Sequence, residues 1–161
     1  MRYAKSLMAI CVTLLGPVAP SAAGSYAEKK DEFTGKTMVL YKSDVADSMR
    51  DRLVVVFRDY RASDGTLILM VKGVGGSIRC HGKTPILLKS ADGVIHKLDA
   101  ESFSSPPVCV ARVPAEWVKD EVTIRATIFG DTLLSSNMRD RQQDMKVDTS
   151  DLDLSRIAIE E

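Results

Sequence analysis

Apolar runs rich in β-branched and aromatic residues alternate with short turn signals along most of this chain. The strongest run covers residues 53–60 (LVVVFRDY), and a second run covers residues 66–72 (TLILMVK). The turn residues Asp64 and Gly65 lie between them, and two such runs joined across Asp-Gly predict a β-hairpin. Because both runs are apolar at consecutive positions, we expect strands covered on both faces at the centre of the core.

Two later segments alternate between apolar and polar residues, which predicts strands with one face in the core and one in water. Residues 122–129 (VTIRATIF) are the clearest case, and residues 108–113 (VCVARV) place Cys109 on an inner face. Residues 85–89 and 94–98 predict a second hairpin across an Asp-Gly turn. In the clearest segment the predicted inner positions are Val122, Ile124, Ala126 and Ile128, and the outer ones are Thr123, Arg125 and Thr127.

Weaker signals give further strand candidates, and we expect about eight strands in total. They cover residues 37–42, 77–81, 132–136 and, as a closing strand, 151–159. One short helix is expected after Ser43 or Asp44, which are good N-cap residues, and the charged residues 137–146 are expected to form an exposed loop or a frayed helix. The pattern predicts an all-β fold, an immunoglobulin-like sandwich or a small barrel, with an α+β domain as the alternative.

The stretch Gly73-Val74-Gly75-Gly76 follows the second apolar run. A phosphate-binding loop has a lysine after its last glycine and then a helix, and this stretch continues instead with Ser77 and another strand signal. Glycines in such a place are typical of a β-bulge or a sharp strand bend. We therefore predict that the chain bends here.

The N-terminus has the three parts of a secretory signal peptide. Arg2 and Lys5 form a basic start, residues 7–15 form an uncharged apolar run, and residues 21–23 place small side chains at a peptidase site. The apolar run is shorter than the ~20 residues of a membrane span. We therefore expect cleavage after Ala23, or alternatively after Ala27, and a periplasmic or secreted mature chain without a membrane span.

Length and charge narrow the class of protein further. The 161 residues suit one domain, divided into a signal peptide at 1–23, a flexible lead-in at 24–36 and a single β-rich domain at 37–161. Basic and acidic residues balance in the full chain, and the signal peptide removes Arg2 and Lys5 but no acidic residue. The mature chain is therefore slightly acidic, which argues against a nucleic-acid partner and against polybasic membrane binding.

Cys11 lies in the signal peptide, so Cys80 and Cys109 are the cysteines of the mature chain. Exported proteins meet an oxidising compartment, where an even number of cysteines favours disulfides. Redox motifs separate their cysteines by only two residues, far fewer than lie between this pair. We therefore predict a structural disulfide between Cys80 and Cys109.

Candidate catalytic and metal-binding residues are sparse, so we expect no catalytic site, no metal and no cofactor. The histidines are His81 and His96, and Ser77 lacks the glycine that a nucleophile elbow needs two residues later. A Cys2His2 metal site would need both thiols reduced and would place Cys80 and His81 on opposite faces of a strand. Near the C-terminus, the carboxylates that could offer calcium ligands, although without EF-hand spacing, are Asp148, Asp151 and Asp153.

The leading hypothesis is an exported, non-enzymatic protein-binding module of the bacterial periplasm or envelope, such as an inhibitor, an immunity protein or an assembly accessory protein. Its expected partner is another envelope or secreted protein, and the candidate contact loops are residues 102–107 and 137–146. A small-ligand carrier is the first alternative, with residues 53–57 and 67–71 lining an apolar pocket. A small hydrolase that acts through two carboxylates is the second alternative.

Overall fold

The computed structural model describes residues 24–30, 35–43, 52–74, 76–80, 84–104, 107–130 and 140–159. Within them the chain is an all-β sandwich of two antiparallel sheets, which confirms the predicted fold class. Two short 3₁₀ helices, η1 (Ala115–Val118) and η2 (Leu154–Ile157), complete the described elements. No described helix is long and apolar enough to cross a membrane.

The described strands are numbered in chain order. They are β1 (Gly24–Lys30), β2 (Thr37–Ser43), β3 (Arg52–Arg61), β4 (Thr66–Val74), β5 (Gly76–Arg79), β6 (Leu87–Lys89), β7 (Ile95–Lys97), β8 (Ala100–Ser104), β9 (Pro107–Pro114), β10 (Glu121–Gly130) and β11 (Arg141–Asp148). The first sheet has the spatial order β1-β2-β3-β4-β9-β8. The second has the order β11-β10-β6-β7, and β5 pairs with β10 beyond the end of β6.

The strand order differs from that of an immunoglobulin constant domain. There, Greek-key connections distribute consecutive strands between a four-stranded and a three-stranded sheet. Here β1 to β4 follow one another as a meander within a single sheet. The likeness to an immunoglobulin domain is therefore limited to the two-layer architecture.

The two strongest apolar runs form the central hairpin, as predicted. β3 and β4 pair in antiparallel register, and the other edge of β4 pairs with β9, also antiparallel. Their side chains alternate between fully buried and half-buried positions, so the inner face is dry and the outer face is partly covered. The fully buried side chains of this hairpin are Leu53, Val55, Phe57, Leu67, Leu69 and Val71.

β10 confirms the alternation with one exception. All four predicted inner side chains of this strand are buried. Thr127, however, is buried although it was expected to face water. It lies between Arg79 on β5 and Gln142 on β11, because β10 is an interior strand, and long cross-strand neighbours cover a short side chain between them.

Residues 24–30 form β1 instead of the expected flexible lead-in. β1 pairs with β2 along its whole length, from Gly24 opposite Ser43 to Lys30 opposite Thr37. A Cβ atom at Gly24 would overlap the Tyr41 ring, so glycine lets the strand lie directly on this aromatic side chain. The strand is polar and lies at the edge of its sheet, so its sequence gives only a weak strand signal.

β11 covers residues 141–146 of the segment 137–146, where a loop or frayed helix was expected, and residues 137–139 lie outside the described residues. Val147 on this strand is buried, while Asp144, Lys146 and Asp148 alternate with it on the opposite face. Asp144 accepts two hydrogen bonds of 2.6 Å from the Arg125 guanidinium on β10. Charged residues are common on edge strands because they discourage edge-to-edge association, and here they conceal the strand pattern.

The predicted closing strand at residues 151–159 is wrong. These residues form η2 and a single parallel bridge between Tyr60 and Ala158. The Asp153 carboxylate accepts hydrogen bonds from the backbone N–H and the hydroxyl of Ser155, and such local bonds favour a turn over a strand. Ile157 is nevertheless buried, so the segment covers part of the core.

Two predicted elements, the short helix that follows Ser43 and the strand at residues 132–136, lie outside the described residues. Ser43 itself ends β2 and is buried. Its hydroxyl accepts a hydrogen bond of 3.0 Å from the Val55 N–H and lies 3.2 Å from the Val55 carbonyl oxygen. Ser43 therefore joins β2 to β3.

The chain passes from one sheet to the other at the glycine-rich stretch, where a β-bulge or a sharp bend was predicted. β4 ends at Val74 in the first sheet, and β5 begins at Gly76 in the second. Directly after β5, Cys80 forms a disulfide with Cys109 on β9, with the two Cα atoms 6.0 Å apart. Both cysteines are buried, and their bond links the two sheets through the core.

Cys109→Ser in the mature chain is expected to lower the Tm by the equivalent of about 3–4 kcal/mol of unfolding free energy, because the disulfide restricts the unfolded chain. Thermal unfolding followed by circular dichroism measures this change. The reduced wild type is the matched control and should unfold at the temperature of the variant. Two free thiols per mature chain in non-reducing mass spectrometry would contradict the disulfide.

Candidate functional site

A groove of about 450 Å³ lies between the β6–β7 hairpin and η1. The turn of the hairpin forms one wall, and η1 with the two residues that follow it forms the other. These walls come from separate parts of the chain, so the fold brings them together. The charged and aromatic side chains that line the groove are Asp92, His96, Glu116, Trp117, Lys119 and Asp120.

The hairpin turn is fixed by a compact set of hydrogen bonds. The Ser90 N–H donates to the Val94 carbonyl oxygen at 3.0 Å, and Gly93 has a φ of 87°, a left-handed conformation that favours glycine. The Asp92 carboxylate accepts hydrogen bonds from the Ser90 hydroxyl at 2.6 Å and from the Val94 N–H at 3.1 Å. These two donors, the hydroxyl first, hold the pKa of Asp92 below its ordinary value, so the groove keeps this negative charge.

An aromatic stack forms the floor of the groove. The rings of His96 and Trp117 lie nearly parallel, with centroids 3.7 Å apart and an interplanar angle of 13°. His96 pairs across the hairpin with buried Leu88, so its side chain lies on the core side of the sheet and reaches η1. Both rings are half-buried, so the stack offers aromatic surface to a bound group.

Ser90, Asp92 and His96 together do not have the arrangement of a catalytic triad. The Ser90 Oγ lies 3.3 Å from the His96 Nε2, a distance that suits a nucleophile and its base. The carboxylate, however, bonds to the serine, whereas in a triad it holds the other nitrogen of the histidine. The hydroxyl proton is thus directed to Asp92, and the three residues stabilise the turn.

The opposite wall carries most of the charge. Glu116 lies on η1, and Lys119 and Asp120 follow that helix. Asp120 has a φ of 65°, and its carbonyl oxygen accepts a hydrogen bond of 2.8 Å from the Thr149 N–H. With Asp92, this gives the groove three carboxylates against one ammonium group.

A second, smaller cavity of about 150 Å³ adjoins the groove at Lys119 and Asp120. Leu152 and Leu154 lie on its apolar side, and Thr149 lines it from the end of β11. The Thr149 side chain is buried, and its hydroxyl has no hydrogen-bond partner among the described residues.

Apolar side chains are exposed on the hairpin that forms one wall of the groove. Ile95 on β7 is 63% exposed and Val94 before it is 48% exposed, while large side chains of this kind are usually buried. In the described part of the chain the other large exposed apolar residues are Phe103 on β8 and Ile159. Val94 and Ile95 thus lie on the hairpin that supplies Asp92 and His96 to the groove.

The sequence-predicted candidates are distributed over the fold. Cys80 and Cys109 are joined in the disulfide, so neither sulfur is a thiolate ligand, and His81 lies outside the described residues. The carboxylates of Asp148 and Asp153 each accept two hydrogen bonds from a serine two residues later. Among the described residues, no group of three or more His, Cys, Asp or Glu side chains is placed to hold a metal ion.

Both candidate contact loops, residues 102–107 and 137–146, overlap strands in the structure. Residues 100–104 form the edge strand β8, which leaves Phe103 48% exposed, and much of 137–146 belongs to β11. The groove itself was missed, because nothing in the sequence pairs residue 96 with residue 117. The available signal was Trp117, the one tryptophan of the chain, next to the acidic Glu116.

Comparison of the chain with protein-family models, with curated proteins and with solved structures found no match. The function must therefore be argued from the groove and from the strands that carry it.

Replacing His96 with alanine is expected to uncover one face of the Trp117 ring. Trp117 is the one tryptophan of the chain, so its emission reports directly on the groove. The emission maximum should move to longer wavelength, and the unfolding free energy should fall by about 1 kcal/mol from the lost ring pair. Glu116→Gln leaves the stack in place and is the control. Identical emission from His96→Ala and the wild type would contradict the stack.

Proposed function

We propose that the mature chain is an exported, non-enzymatic protein-binding module of the bacterial periplasm or envelope. It acts as an inhibitor, an immunity protein or an accessory part of an envelope assembly. The observation that carries this proposal is the exposure of Ile95 and Val94 on the β6–β7 hairpin, which also forms one wall of a charged groove floored by an aromatic stack. The partner is another envelope or secreted protein.

Three features support export. The N-terminal residues have the parts of a signal peptide, and the buried disulfide suits an oxidising compartment. Cleavage after Ala23 leaves β1 whole, because the strand begins at Gly24. Cleavage after Ala27 would remove four of the seven residues that pair with β2. The fold therefore favours the first of the two cleavage sites.

The surface around the groove has the composition of a protein contact. Apolar residues rimmed by polar ones are typical of interaction sites, and aromatic residues contribute much of the binding energy at interfaces. Val94 and Ile95 supply the apolar part, Trp117 supplies the aromatic part in the groove, and Asp92 and Lys97 supply charge. Ile95 and Lys97 lie on the face of β7 that points away from the groove, so a partner would contact both faces of the hairpin edge. Its elements are short strands of a rigid sandwich, so a partner would meet a preformed surface.

Two further observations favour this proposal over the small-ligand carrier and the carboxylate hydrolase. The inner side chains of residues 53–57 and 67–71, which a carrier would use to line its pocket, are packed in the hydrophobic core. A carboxylate acid catalyst needs a raised pKa, whereas the hydrogen bonds to Asp92 lower its pKa. The inner side chains of the two strands therefore stabilise the sandwich, and Asp92 stabilises the turn of the hairpin.

The test is affinity capture from the envelope and secreted fractions of the source cells, with tagged mature protein as the bait. The wild type should retain a protein partner in a stoichiometric amount. Ile95→Asp should lose it at least tenfold, because a charge replaces the most exposed large apolar side chain of the hairpin. Ile159→Asp makes the same change at another exposed isoleucine and should retain the partner.

Absence of any stoichiometric partner with the wild-type bait would contradict the proposal. Equal loss of the partner with both isoleucine variants would also contradict it, because the effect would not be specific to the β6–β7 hairpin. Circular dichroism of each variant establishes that the fold is intact.

A further inference from the structure

We infer that β7 is a docking edge, where an extended segment of the partner protein pairs with the strand and places a lysine or arginine side chain in the groove. This inference rests on the proposed function and specifies how the partner is bound. It follows from the backbone of β7, from the charges on its two faces and from its place at the end of the sheet.

β7 ends the second sheet, and in the described part of the chain it pairs with β6 on one side only. The Val94 carbonyl oxygen accepts a hydrogen bond from the Ser90 N–H, and the Leu98 N–H donates to the Ile86 carbonyl oxygen, at 3.0 Å each. Ser90 and Ile86 flank β6, so both bonds are directed to that side of β7. Inward and outward backbone groups alternate along an antiparallel strand, so Ile95 and Lys97 direct their N–H and C=O groups away from β6. These groups are placed to bond an added strand.

The groove determines what such a segment must carry on its core-facing side. A residue opposite His96 would point its side chain to the same face as His96, because directly opposed residues share a face. There it would meet the aromatic stack and three carboxylates, those of Asp92, Glu116 and Asp120. A lysine or arginine matches both features, through ion pairing and through stacking of the cation on an aromatic ring.

The outer face of β7 calls for different residues. Ile95 and Lys97 share this face, and Lys89 lies opposite Ile95 on β6. All three side chains are exposed. Partner residues that flank the cation would therefore be apolar or acidic. The segment that fits β7 has a basic residue with apolar or acidic neighbours, in the period of two of an extended strand.

The test begins with selection of a displayed library of random twelve-residue peptides on the folded, disulfide-bonded mature protein. Selected peptides should share a lysine or arginine flanked by apolar or acidic residues. Their affinity for the double variant Glu116→Gln with Asp120→Asn should fall at least tenfold. Asparagine tolerates the left-handed backbone of Asp120, so this variant keeps the fold. Glu101→Gln, which removes an exposed carboxylate from β8, is the control and should bind normally.

Backbone pairing is tested separately with the selected peptides. N-methylation of alternate peptide amides should abolish binding in one of the two possible registers and leave it intact in the other, because only one set of amides faces β7. Lys97→Pro removes an outward N–H from the protein side and should weaken binding to a similar degree. The peptide series gives the result even where the proline variant does not fold.

The inference is overturned by a library that yields no binder, by selected peptides without basic residues, or by peptides that bind the double variant as well as the wild type. Equal tolerance of N-methylation in both registers also overturns it. If the captured partner still depends on Ile95 in any of these cases, the protein-binding function stands and only the strand-pairing mode fails.

Discussion

The passage of the chain from one sheet to the other, closed by the disulfide, is the constraint on which this fold depends. β4 is an interior strand of the first sheet, and within two residues the chain continues as β5 beside β10 in the second sheet. Cys80 then returns to Cys109 on β9, the neighbour of β4. This crossing and the covalent bond therefore hold the two sheets against each other, and the buried apolar side chains fill the space between them.

The groove is a consequence of this arrangement. β9 belongs to the first sheet and β10 to the second, and η1 is the short connection between them, so Trp117 lies where the two sheets meet. β6 pairs with one half of β10 and carries β7 on its other side, which brings His96 to the same place. The stack of His96 on Trp117 thus joins the edge of the second sheet to the connection that enters it. The open edge of β7 and the charged groove are adjacent for the same reason.

The sequence predicts the elements whose side chains face the core and misses those defined by their neighbours. Dense apolar runs identify β3 and β4, and strict alternation identifies β10, because burial leaves a direct mark on composition. β1 and β11 are polar edge strands that exist through pairing with β2 and β10, so local pattern alone reads them as loops. The groove is harder still, since it depends on where η1 meets the hairpin. Among the candidate site residues, the disulfide pair was the part that the sequence could predict. The expected mature chain has two cysteines, which leave one possible bond.

An open backbone edge on β7 can be measured by amide hydrogen exchange of the mature protein, followed by NMR. We expect fast exchange for the N–H groups of Ile95 and Lys97, and slow exchange for that of Leu98, which bonds to the Ile86 carbonyl oxygen. Exchange at Ile95 and Lys97 as slow as at Leu98 would contradict the open edge, because β7 would then already be paired on that side in the free protein.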